Sequence, residues 1–164
     1  MRHKASYMLV TPLSVLALVL LAAPFVSGQK SAPAGDDLQP GSPHVIQPEE
    51  LVKAMQSSSG QKPVILYVGP PVFYVQAHIK GADNVGPAAR PEGLEKLRAR
   101  AAKLAKGSYV VIYCGCCPWE HCPNIHPAFQ ELQKMGFSKV RVLYLAKSFG
   151  TDWADKGYPV DKGQ

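Results

Sequence analysis

Four cysteines, Cys114, Cys116, Cys117 and Cys122, lie within the run YCGCCPWEHCPN, and they are all the cysteines the chain has. A disulfide framework that staples a fold spreads its cysteines along the chain. These four can close only small local loops, which contribute little global stability. Two incidental local disulfides are the bland alternative. The crowding suits thiol chemistry better, because a thiolate attacks sulfur or binds metal. Cys114 directly follows the apolar run Ser108 to Tyr113, and Pro123-Asn124 open a helical pattern. The cluster therefore spans a strand end and a helix amino terminus. Unpaired backbone N–H groups and the positive end of the helix dipole stabilise thiolate there, and can bring a thiol pKa from about 8.5 to roughly 3.5–7.5. Cys114, held by the sheet, is the expected nucleophile. Cys116, Cys117 and Cys122 are expected on a flexible loop, with Cys122 the main competitor.

The elements that must hold this cluster follow from the hydrophobic periods. His44 to Ile46 reads as a short strand, and Pro48 with Glu49-Glu50 opens a helix through about Ser57. Pro63 to Val68 is an apolar strand, and Val72 to Ala77 a short helix. Leu94, Leu97, Ala101 and Leu104 recur at helical spacing between Pro91 and about Lys106, where Gly107 is the expected stop. After the strand Ser108 to Tyr113, a stripe of Ile125, Ala128, Phe129, Leu132 and Met135 marks a helix ending at Gly136, and Val140 to Leu145 returns as a strand. Strands separated by helices predict an α/β fold with a mostly parallel sheet and helices on both faces. Chemistry in such sheets gathers at the carboxyl ends of the strands, where Cys114 stands.

The composition agrees with one domain. The 164 residues are 46% hydrophobic and 18% charged, which argues against a wholly disordered chain, and 15 prolines with 14 glycines fall short of low complexity. The formal charge of +6 is too mild and dispersed to argue for nucleic acid. Arg2, His3 and Lys4, the apolar run Leu13 to Val26 and the small-residue site Val26-Ser27-Gly28 read as a cleavable export signal over residues 1–28. An extracytoplasmic protein, periplasmic or secreted, is therefore expected, beginning near Gln29 and without stable membrane association after cleavage. An uncleaved anchor over Met8 to Val26 is the alternative. Residues 29–43 read as a flexible leader, 44–160 as the domain and 161–164 as a tail.

From His44 to Val160 the chain resembles a single-domain rhodanese, a member of the rhodanese-like sulfurtransferase family, in four blocks that run in the family's order. Val45-Ile46 with Pro48-Glu49-Glu50-Leu51 resembles the opening strand and helix. Ala77-His78-Ile79-Lys80-Gly81-Ala82 resembles Gly-His-Ile-Pro-Gly-Ala. Val110-Val111-Ile112-Tyr113-Cys114 resembles the strand ending in the active cysteine, and Trp153 with Gly157-Tyr158-Pro159-Val160 the closing segment. The resemblance implies a parallel sheet of about five strands. It also implies a catalytic Cys114 that accepts sulfane sulfur as a persulfide and passes it to a nucleophile, with no prosthetic group. His78 takes the place of a structural turn residue, and Trp153 and Phe129 read as core. The chain departs from the family at Tyr67-Val68-Gly69, where an Asp-Val-Arg-like strand end is common. It departs again in a lengthened active loop, Gly115, Cys116, Pro118, Trp119, Glu120 and His121, which offers no Lys or Arg. Thiosulfate should bind weakly to such a loop.

Three functional classes stay open. In the enzyme class, Cys114 carries a persulfide between a small sulfur-containing donor and a thiol or cyanide-like acceptor, or Cys114 and Cys117 act as a C-x-x-C pair, with Cys117 or Cys122 as resolving thiol. In the second class, Cys114, Cys117, Cys122 and His126, with Cys116 and His121 nearby, hold zinc or Cu(I). Pro118 and Pro123 stiffen the loop against aiming more than two or three of these at one point. The third class is a non-catalytic binding domain.

Overall fold

Val110-Val111-Ile112-Tyr113 is buried at every residue, as a strand must be when both sheet faces are covered. Its side chains alternate between two apolar layers: Val110 and Ile112 face one, Val111 and Tyr113 the other. The computed structural model describes residues 37–163. The expected export signal and residues 29–36 of the expected leader lie outside the described residues.

In chain order the elements are β1 (Val45–Ile46), α1 (Pro48–Gln56), β2 (Val64–Tyr67), α2 (Pro71–Gln76), β3 (His78–Ile79), β4 (Asp83–Asn84), α3 (Pro91–Ala101), β5 (Val110–Tyr113), α4 (Ile125–Lys134), β6 (Val140–Leu143), α5 (Phe149–Asp152) and β7 (Val160–Asp161). Five strands form a sheet in the order β1-β6-β5-β2-β4, with every pair parallel. The α/β sheet expected from the sequence is thus the one observed. Leu97 and Ala101 of α3 pack with Ala128, Phe129 and Leu132 of α4 in one layer. Leu51 of α1 and Tyr74 of α2 join Trp153 in the other. A short antiparallel pair, β3 with β7, lies apart from the main sheet. β3, β4 and β7, of two residues each, carry too little alternation to be read beforehand, whereas β1 is marked by the apolar Val45-Ile46 before the Pro48 helix start.

Several boundaries move for identifiable reasons. The third helix ends at Ala101 rather than near Lys106, because the chain tightens and Leu104 N–H bonds back to the Ala101 carbonyl. Leu104 keeps its place against the core. β6 stops at Leu143 because its partner β1 offers only the register pairs Val45 with Val142 and Ile46 with Leu143. Asp37 to Pro43 is not a free leader: Leu38 is 2% exposed in the core, and the Ser42 hydroxyl donates to the Asp37 carbonyl at 2.6 Å. One buried leucine and a hydrogen-bonded turn order a segment whose composition predicts none. Residues 161–163 of the expected tail likewise belong to the domain, since Asp161 is in β7 and Gly163 N–H donates to the Val75 carbonyl at 2.9 Å; residue 164 lies outside the described residues. Among the described residues, no helix is long and apolar enough to cross a membrane.

Candidate functional site

β2 and β5 run side by side and end together, with Tyr67 opposite Tyr113. The next residues are Val68-Gly69 and Cys114, and they are pressed together: a Cβ on Gly69 would lie 2.9 Å from the Cys114 sulfur and 2.5 Å from the Tyr67 hydroxyl. No side chain fits between these strand ends. Cys114 itself is 2% exposed.

Past Cys114 the chain turns at Gly115, whose φ of +75° is costly for any residue with a Cβ. The loop that follows is fixed rather than flexible. Gly115 carbonyl accepts the Phe149 N–H at 2.9 Å, and Trp119 N–H donates to the Ala146 carbonyl at 3.2 Å. Cys116, Trp119 and Cys122 pack against the core, and the Trp119 ring meets Tyr144 edge-on. Trp119–His121 forms a single 3-10 turn. Pro118, Glu120 and His121 face solvent.

The fold orders the sulfurs differently from the C-x-x-C reading. Cys116, not Cys117, is the neighbour of Cys114, with the sulfurs 3.2 Å apart. Cys117 follows 3.7 Å beyond Cys116 and also faces the His121 carbonyl at 3.7 Å. All four cysteines are free thiols. The acidic thiol is Cys122 rather than Cys114. The Cys114 thiol and the backbone N–H groups of Asn124 and Ile125 hold Cys122 down to about 6, against the effect of burial. Cys114 is pushed far up, first as the proton-bearing partner of Cys122 and then by burial. Burial and the neighbouring Cys122 push Cys117 up to about 12. A thiol donor from Cys114 together with two amide N–H groups at one sulfur outweighs a position at the strand end.

Two residues of the site carried no sequence signal. Asn124, buried and 3% exposed, directs its Nδ2 at the Cys114 sulfur, 3.5 Å away. Tyr67 donates its hydroxyl proton to the Pro70 carbonyl at 3.1 Å, and burial beside the thiols raises its pKa, so it stays a phenol. Both residues are recognisable only once the strand ends are aligned.

In front of Cys114 lies a cleft of about 300 Å³, with α2 contributing Phe73 and Gln76 to its wall and the segment entering α5 contributing Ser148 and Phe149. No charged side chain lines it. His78 is elsewhere, stacked on Tyr74 with Nδ1–H donating to the Tyr74 carbonyl at 2.8 Å. Its role is structural, and Trp153 and Phe129 are core as expected. The proposed metal set is not assembled: His126 is exposed on α4, and among the described residues no group of three or more His, Cys, Asp or Glu side chains is arranged to hold a metal ion.

Residues 47–149 match the family model of the rhodanese-like domain. The chain belongs to the rhodanese-like domain family. Solved structures agree on the fold. The Alr3790 protein from Anabaena sp. is 23% identical with a TM-score of 0.54, over 72% of this chain and 92% of that one. The BH2092 protein from Bacillus halodurans is 17% identical with a TM-score of 0.55, over 73% and 77%. A protein from Lactobacillus plantarum is 20% identical with a TM-score of 0.52, over 72% and 87%. No curated protein sequence matches the chain significantly. Within this rhodanese-like domain the cysteines at 114–122 form a variant active loop.

Proposed function

We propose that this rhodanese-like domain is an exported sulfurtransferase in which Cys114 takes sulfane sulfur from a small donor as a persulfide and yields it to a thiol or cyanide-like nucleophile. The observation that carries the reading is the position of the Cys114 sulfur: it follows the central strand, lines an apolar cleft and is met by the Asn124 amide. In loading, the Cys114 sulfur bonds to the outer sulfur of the donor. The donor's bond to that sulfur breaks, and its electron pair leaves with the donor. The Cys114 proton passes to the Cys122 thiolate, the nearby base, and on to the departing donor sulfur, so that the donor leaves as a thiol and Cys122 is again a thiolate. An uncharged wall containing Phe73 and Phe149 suits an organic persulfide or trisulfide better than doubly charged thiosulfate.

The 3.2 Å approach of Cys114 and Cys116 supports a second reading, dithiol–disulfide exchange. Intact mass of the purified protein, native and denatured, before and after a sulfane donor and then a reductant, separates the two. The sulfurtransferase reading expects a gain of one sulfur on the Cys114 peptide, reversed by reductant. A two-proton loss with no sulfur gain would transfer the conclusion to disulfide exchange. An increment lost on denaturation would indicate metal. Export rests on the signal-like residues 1–28. Amino-terminal sequencing of the mature protein should begin near Gln29, and a full-length chain in the membrane fraction would reverse that.

A further inference from the structure

The thiol cluster opens on two sides. Besides the cleft in front of Cys114 there is a second one of about 390 Å³, whose wall includes Cys122, Gln39, Trp119, Glu120 and His126. The two clefts have no residue in common. Between them lies a void of about 10 Å³ that joins their walls: it takes Cys114 and Gly115 from the first and Trp119 and Cys122 from the second. Room for about one water-sized atom is what this volume amounts to. Ile125, Leu143 and Leu145 line the remainder together with Cys117, which burial and the neighbouring Cys122 keep a thiol rather than a nucleophilic thiolate.

We propose that Cys122 is a second sulfur carrier, which takes the outer sulfur from Cys114 across this void and presents it in the second cleft to a small thiol acceptor. The inference rests on the reading that Cys114 is loaded first. The Cys122 thiolate attacks the outer sulfur of Cys114–S–SH. A new S–S bond forms, the old one breaks, and its electron pair returns to the Cys114 sulfur. The proton on the outer sulfur moves to Cys114, leaving Cys122–S–S⁻ and Cys114–SH. Nothing is oxidised or reduced overall, so the step needs no oxidant. The acceptor thiol then attacks the outer sulfur and departs as a persulfide, and Cys122 leaves as thiolate.

The two sulfurs suit these parts. The Cys114 thiol and then the backbone N–H groups of Asn124 and Ile125 stabilise the Cys122 thiolate, which makes it a good leaving group, whereas the hydrogen bond to Cys122 and then burial favour the return of Cys114 to the thiol. The clefts also differ in chemistry. Phe73, Phe149 and Tyr67 face an apolar donor on one side, and Gln39, Glu120 and His126 face a polar acceptor on the other. Donor and acceptor need not compete for one mouth.

The test is single-turnover transfer. Wild type, Cys122→Ser, Cys114→Ser and His126→Trp are loaded anaerobically with one equivalent of 2-hydroxyethyl persulfide, desalted and mixed with cysteamine. Alkylation and peptide mass then report the sulfur on each cysteine over time. In the wild type the sulfur should appear on Cys114 and then on Cys122. Cys122→Ser also lacks the base for loading and is given longer to load; per loaded molecule it should keep the sulfur on Cys114 and release it about tenfold or more slowly. His126→Trp, at an exposed position, should narrow the second cleft and slow release without reducing loading. Release from Cys122→Ser at the wild-type rate would overturn the relay and leave Cys114 a carrier. An unaffected His126→Trp would overturn the second cleft as the exit. Full loading of Cys122 in Cys114→Ser would overturn the order of transfer and the sulfurtransferase reading of Cys114 together.

Discussion

Asn124 holds Cys114 and Ala89 through one side chain: its Nδ2 donates to the Cys114 sulfur at 3.5 Å, and its Oδ1 accepts the Ala89 N–H at 2.9 Å. The amide thereby couples the active loop to the segment that enters α3, with its Cys114 end buried and its Ala89 end nearer the surface.

Asn124→Ala should destabilise the fold by about 0.5–1.5 kcal/mol, since it removes the hydrogen bond from the solvent-accessible Ala89 N–H, and should slow sulfur loading by removing the donor that faces Cys114. Urea unfolding and a single-turnover loading assay measure the two effects. Unchanged loading would mean that the amide serves the scaffold alone.

Limiting iodoacetamide at mildly acidic pH should label Cys122 first and Cys114 last. Thiolate is the reacting form, and the Cys122 pKa of about 6 lies below the ordinary range of about 8.5. The Cys122 labelling rate should therefore rise with pH, reach half its plateau near 6 and fall off below that. Peptide mapping across pH 4.5–9 reads it, and a profile centred near 8.5 would show that neither the Cys114 thiol nor the two amide N–H groups stabilise the sulfur.

Glycine is required at two points of the site. Gly115→Ala combines φ +75° with a Cβ 2.8 Å from the Phe149 Cβ, and should cost about 1–3 kcal/mol. Gly69→Ala should displace Tyr67 and the Cys114 sulfur and depress loading. Gly107→Ala, with nothing within 4 Å, is the control that should leave both unchanged. Denaturant midpoints and loading yields compare the three.

Thiosulfate:cyanide sulfurtransfer should be slow, because neither the loop nor the cleft wall supplies a cation. Gln76→Arg brings a charge into the wall and should lower the apparent KM for thiosulfate about fivefold, the worth of roughly 1 kcal/mol for a partly exposed charge pair. His121→Arg should do little, since His121 is exposed and lines neither cleft. Steady-state kinetics of the three proteins decides. Fast turnover by the unmodified protein would show that backbone N–H groups suffice for the anion.

The central elements were legible in the sequence because they depend on local periods. Val110 to Tyr113 is apolar at every position, so it had to be a doubly covered strand, and the Ile125-Ala128-Phe129-Leu132 stripe had to be one face of a helix. The crowding of four cysteines between those two elements located the site, and the absence of Arg and Lys in the loop was already plain. Leu38 was missed because its neighbours are polar, yet burying one leucine is worth about 1.5–3 kcal/mol, enough to hold a short segment.

Tertiary structure alone decided what each sulfur meets. Spacing in the chain pairs Cys114 with Cys117, but the left-handed turn at Gly115 and the anchors at Ala146 and Phe149 swing Cys116 against Cys114 instead. The acidity of Cys122 depends on the Cys114 thiol and the direction of two amide N–H groups, and the partnership of Asn124 with Ala89 spans 35 residues. Such contacts are non-local or set by single backbone angles. Hydrophobic period records neither, because it reports only which face of an element is buried and not which polar groups meet beyond its end.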